Sequence, residues 1–118
     1  MLQIATTPVF DKKIKHYKKR YLSFEKDLLD LASRLKKNPD LGVKYLGLAK
    51  KIRLAIKSKN KGKSGGVRVV FIVLIKKSKL FFLDILDKSD SDAFSKDNEK
   101  KLVVMMKKIR KASDKYLK

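Results

Sequence analysis

Nine residues, Val67 to Ile75 (VRVVFIVLI), constrain the fold of this chain more than any others. The run is β-branched and almost wholly apolar, and it is too short for a buried helix. A strand that is apolar at successive positions is covered on both faces, so this one belongs in the middle of a sheet. Leu80 to Leu86 (LFFLDIL) reads as its neighbour, with Lys76-Lys77-Ser78-Lys79 as the hairpin turn between them. On the other side, residues 45–57 alternate. Ile52, Leu54 and Ile56 share one face, and Lys51, Arg53 and Lys57 share the other. Ser58 to Gly66 (SKNKGKSGG) is a turn by composition. The sheet therefore contains three consecutive antiparallel strands.

Helices flank this meander. A short first strand is expected over residues 2–8, and Pro8 suits the first turn of the helix that follows. Phe10, Ile14, Tyr17 and Tyr21 recur at helical spacing, with lysines opposite. His16 borders that stripe as a surface residue. Ser23 is placed to cap a second helix with the stripe Phe24, Leu28, Leu31 and Leu35, which Asn38-Pro39-Asp40 ends. Ser95 caps a last helix with Leu102, Met105, Met106, Ile109, Ser113 and Tyr116 on its apolar side and Val103 and Leu117 at the margins. The order is β-α-α-β-β-β-α, one α+β domain over residues 1–118.

Charge narrows the function. Lys and Arg number 32 against 12 Asp and Glu, a net charge of +20. From Leu41 to Leu83 there is no acid, while Lys or Arg occurs twelve times. A footprint of that kind fits a polyanionic partner such as nucleic acid. The absence of cysteine excludes disulfides, thiolate metal sites and a thiol nucleophile, and one histidine excludes a multi-histidine metal site. No apolar run reaches the roughly 18 residues of a membrane span. The start, MLQIATTPVF, lacks the layout of a secretory signal, so a cytoplasmic protein is expected.

The charge concentrates in Lys51 to Arg68 (KIRLAIKSKNKGKSGGVR). Lys51 and Arg53 lie on the polar face of one strand, Lys57, Lys59, Lys61 and Lys63 at its end and in the turn, and Arg68 at the start of the next strand. Gly62, Gly65 and Gly66 allow close backbone approach. The Gly-Lys-Ser is no Walker loop, because the preceding glycine spacing is absent and a hairpin surrounds it. Asp84 and Asp87 stand three apart on a strand, face opposite sides, and do not form a carboxylate pair. Asp87 reads as the structural partner of a nearby cation. Phe71, Phe81 and Phe82 read as sheet core.

Lys51-Ile52-Arg53, then Gly62-Lys63-Ser64-Gly65-Gly66-x-Arg68 before an apolar strand, then Asp87-Lys88, form a pattern. Phe10 and Tyr21 in the first helix and Asn38-Pro39-x-Leu41-Gly42 after the second complete it. In this order the chain resembles RelE/ParE superfamily toxins of type II toxin–antitoxin systems, closest to the HigB-like branch. The resemblance implies a small twisted antiparallel sheet carrying the two N-terminal helices, and a ribosome-dependent mRNA endonuclease that needs no metal or other cofactor. It implies attack by a 2′-hydroxyl on the adjacent phosphate, and an antitoxin partner, usually a helix-turn-helix protein. By position it assigns Arg68 to the scissile phosphate, Lys51 and Arg53 to the basic strand beside it, and Lys88 to the end of the last strand. Leu86 departs from the pattern, since many relatives carry an aromatic residue there.

The residue types suit that chemistry. A nuclease with neither a histidine pair nor a metal cage must stabilise the phosphorane with cations. A lysine can take the 2′ proton only with a lowered pKa, which crowding among Lys51, Arg53 and Arg68 would favour. Lys57, Lys59, Lys61 and Lys63 are expected to grip ribosomal RNA phosphates. Two alternatives stand beside this reading. One is a ParE-like DNA gyrase inhibitor. The other is a non-catalytic nucleic-acid-binding domain. A membrane-surface role for residues 96–118 is weaker, because their stripe suits packing on the sheet.

Overall fold

The computed structural model describes residues 2–59 and 66–115. Lys61, Gly62, Lys63, Ser64, Gly65, Tyr116 and Leu117, all named above, lie outside the described residues. In chain order the elements are β1 (Gln3–Thr6), α1 (Pro8–Arg20), α2 (Phe24–Lys37), β2 (Val43–Leu46), β3 (Ala49–Ala55), β4 (Gly66–Leu74), β5 (Lys79–Leu86) and α3 (Lys96–Lys115). Lys57–Lys59 and Ile75–Lys77 form single 3-10 turns.

The strands make one sheet in the order β1-β5-β4-β3-β2. The apolar strand β4 is its middle, as its composition demands. Val67, Val69 and Phe71 enter a core under the helical hairpin, and Val70 and Ile72 enter a second core under α3. All five are at most 2% exposed. The architecture is the expected α+β one. The segment over 45–57 differs in detail: it is the end of one hairpin, with β2 and β3 joined at Gly47-Leu48. Gly47 has φ +53°, the positive value that two-residue hairpin turns require at their first central position. β1 pairs in parallel with β5, and the other pairings are antiparallel.

Thr7 sets the angle of α1. Its hydroxyl oxygen accepts the Phe10 amide (3.1 Å) and its hydroxyl proton goes to the Leu83 carbonyl (2.8 Å), so one buried side chain caps the helix and ties it to β5. Phe10 then stacks on Phe82 and Tyr17 on Phe24, with centroids 5.1 and 5.2 Å apart. α3 starts at Ser95, whose hydroxyl accepts the Asn98 amide, and it seats Leu102 and Met106 on the opposite face of the sheet. His16 is exposed, edge-on to Tyr17.

β5 carries a bulge. Val70 opposes Asp84 and Phe71 opposes Phe82, which leaves Leu83 without an opposite number. Beyond it, Ile85 joins the hairpin core and Leu86 the α3 core. Asp84 is buried and ion-paired to Lys13 at 2.6 Å, and Lys13 also donates to the Ile85 carbonyl (2.9 Å).

Candidate active site

The antiparallel register of β3 and β4 sets Arg53 directly opposite Arg68. Like charges in that position repel, and two neighbouring guanidinium groups can share one anion. Alternation puts both arginines on the α3 side of the sheet. α3 covers that side where Val70, Ile72 and Leu83 meet Leu102 and Met106, while Arg53 remains exposed and Arg68 half-buried. The end of β5 supplies Lys88, and the 3-10 turn after β3 supplies Lys59.

With Gly66, Asp87 and Ser89, these four cations line a cleft of about 360 Å³. Gly66 is needed for its closeness. A Cβ there would fall 2.5 Å from the Leu54 carbonyl oxygen, where no side chain fits. A larger groove of about 540 Å³ lies near Leu2, Pro39, Leu48 and Val73; its cations are Lys36 and Lys50, accompanied by the acid Asp40 and by no arginine. Among the described residues, no three His, Asp or Glu side chains come together as a metal would require.

Asp87 is the single acid of the cleft. It accepts from the Tyr17 hydroxyl (3.2 Å), the Ser89 amide (3.0 Å) and the Ser89 hydroxyl (2.9 Å). Burial works to raise its pKa, but those hydrogen bonds and the Lys59 charge outweigh it and hold the carboxyl below its ordinary value. The Tyr17 phenol is pushed well above its usual range, first by burial and then by the Asp87 charge. It therefore stays a donor. The expected cation near Asp87 is Lys59, whose ammonium also lies 5.7 Å from the Tyr21 ring centroid.

Of the residues singled out from sequence, Arg53, Arg68 and Lys88 converge on the cleft. Lys59, expected among the RNA-gripping lysines, joins them there. Lys57 is exposed on the same 3-10 turn and does not line the cleft. Lys51 shares the Arg53 face of β3 but is seated elsewhere: its ammonium is 4.9 Å from the Tyr45 ring centroid and 5.5 Å from that of Phe94. Tyr45, Phe94 and Tyr17 were not anticipated as site residues. Tyr17 sits in a core stripe, and Tyr45 and Phe94 lie far apart in sequence with nothing to pair them.

A family model described as RelE toxin of the RelE/RelB toxin–antitoxin system matches residues 9–118, from the first turn of α1 onward. Every residue of the cleft falls inside the match. The chain belongs to this RelE toxin family.

Proposed function

We propose that this toxin is a metal-independent, ribosome-dependent mRNA endonuclease of the HigB-like branch, acting in the cytoplasm and neutralised by a cognate antitoxin of helix-turn-helix type. The observation that carries the reading is the cross-strand pair Arg53–Arg68 in a cleft with Lys59 and Lys88. Two guanidinium forks side by side match the oxygens of one phosphate. In the proposed step the 2′-oxygen bonds to phosphorus as the bond from phosphorus to the 5′-oxygen breaks. The 2′ proton leaves to solvent and Lys88 gives one to the departing 5′-oxygen. The products are a 2′,3′-cyclic phosphate and a 5′-hydroxyl. Arg53 and Arg68 hold the added negative charge of the phosphorane.

Lys51 serves this reading as a fixed cation beside the phosphate path. Phe94, partly exposed next to it, offers a base the flat surface that Leu86 does not.

The test is to map mRNA 5′ ends after brief induction in a bacterial host. Cuts inside translated frames at a fixed codon phase are expected. Arg68→Ala should reduce them by about 10²–10³, the loss typical of one transition-state donor. Growth arrest with intact transcripts and an SOS response would favour gyrase inhibition instead. RNA binding without cuts would favour a non-catalytic domain.

A further inference from the structure

Asp27 is a carboxylate 4% exposed. No ion pair to a described residue accompanies it, and its Oδ1 has no hydrogen-bond partner among the described residues. Burying a charge on those terms is unfavourable, so its contacts need a reason. Its Oδ2 accepts from the Ser23 hydroxyl (2.7 Å) and from the Lys57 amide (3.0 Å). Ser23 in turn clasps Ser58: the Ser58 amide donates to Ser23 Oγ (2.8 Å), the Ser23 amide donates to Ser58 Oγ (2.9 Å), and the two hydroxyl oxygens lie 2.9 Å apart. Ser23 occupies the N-cap position of α2 but makes no capping bond with its side chain. The hydroxyl is committed to this clasp instead.

The clasp grips Lys57 and Ser58, the two residues immediately before Lys59. The Lys59 amide closes the 3-10 turn on the Ile56 carbonyl (3.0 Å), and its ammonium stands by the Tyr21 ring at the cleft. We propose that Asp27, Ser23 and Ser58 are positioning residues that fix the base of the basic segment, so that Lys59 is presented to a nucleic-acid phosphate in the cleft. The proposal rests on reading the cleft as an RNA site. It adds a second set of residues, at the start of α2 and on the 3-10 turn but outside the cleft, that governs how strongly the cleft holds a strand.

The clasp and the reading are tested by different measurements. Hydrogen exchange of the Lys57 and Ser58 amides reports the clasp alone. Both are expected to be protected in the wild type and to exchange faster in Asp27→Ala. Binding of a short, uncleavable 2′-O-methyl oligoribonucleotide across a salt series reports the cleft. Removing one phosphate contact lowers the slope of log K against log salt by about 0.7 on single strands. Lys59→Gln and Asp27→Ala should each show that drop, and the double variant should show no more than either alone. A structural defect unrelated to Lys59 would add to it instead. Asp27→Asn keeps an oxygen for the Lys57 amide and is expected to restore most of the slope. Ser58→Ala, at an exposed site, serves if Asp27→Ala fails to fold, and predicts a smaller change in the same direction. An unchanged slope in both Asp27→Ala and Ser58→Ala, or full additivity with Lys59→Gln, would overturn the proposal while leaving the RNA reading intact. A wild type that binds the oligonucleotide no better than Arg53→Ala/Arg68→Ala would overturn the reading, and the positioning role with it.

Discussion

At the residue scale, two aspartates three positions apart, one in β5 and one just past its end, have opposite tasks. Asp84 is buried against Lys13, and removing the cation would strand a carboxylate in the core. Lys13→Ala should therefore lower stability by about 2 kcal/mol, less than for a fully buried pair because Lys13 is part-exposed. The measurement is urea unfolding, with a lower midpoint and an unchanged m-value. Asp87 faces the cleft, and its pKa in the folded chain lies below the ordinary carboxylate value. The stabilisation it provides is complete above the unfolded-state pKa and disappears as pH falls through the lower folded-state one. Asp87→Asn should consequently destabilise at neutral pH and flatten the acid limb of a stability–pH curve below the ordinary carboxylate pKa. Tyr17→Phe removes one of the groups that lower that pKa, and should move the acid limb toward higher pH. Sequence allowed the two aspartates to be separated by alternation. It did not reveal that Tyr17, read as one more aromatic of the α1 stripe, holds Asp87 from across 70 positions of chain.

At the element scale, the periodic segments were legible and the junctions were not. The stripes of α1, α2 and α3 and the apolar run of β4 each state their own burial, because helix and strand periods are local properties. The β2–β3 hairpin was hidden because its turn, Gly47-Leu48, lies between apolar Leu46 and Ala49 and lacks the Asn-Gly or Asp-Gly signal. The positive φ at Gly47 gives the turn a test. Gly47→Ala meets open space but a strained backbone, so a loss of about 1 kcal/mol in thermal or urea unfolding is expected. Thr7 was likewise passed over, since Pro8 announced the helix start without showing what ties it to β5. Thr7→Val keeps the shape and loses both hydrogen bonds, and should cost about 2 kcal/mol by the same measurement.

At the scale of the whole molecule, the acid-free middle of the chain becomes β2, β3, β4 and the first part of β5, most of the sheet. The basic cluster was legible as composition. Its division was not, since only the β3–β4 register and the 3-10 turn decide that Arg53, Arg68, Lys59 and Lys88 meet while Lys51 rests on Tyr45 and Phe94. The bulge at Leu83 decides something further. It acts as a half-period phase shift in β5: every side chain beyond it appears on the face that a regular strand would have denied it. Were Leu83 instead paired with Val70 in a regular ladder, β5 would set Asp87 opposite Gly66, on the arginine side, and turn Lys88 toward the tyrosines of α1. The acid would then neutralise the arginine pair, and the lysine would leave the cleft. One unopposed leucine in the sheet thus keeps the polarity of the cleft in phase, and a one-residue slip that paired Leu83 with Val70 would reverse that polarity while leaving every charged residue in the chain.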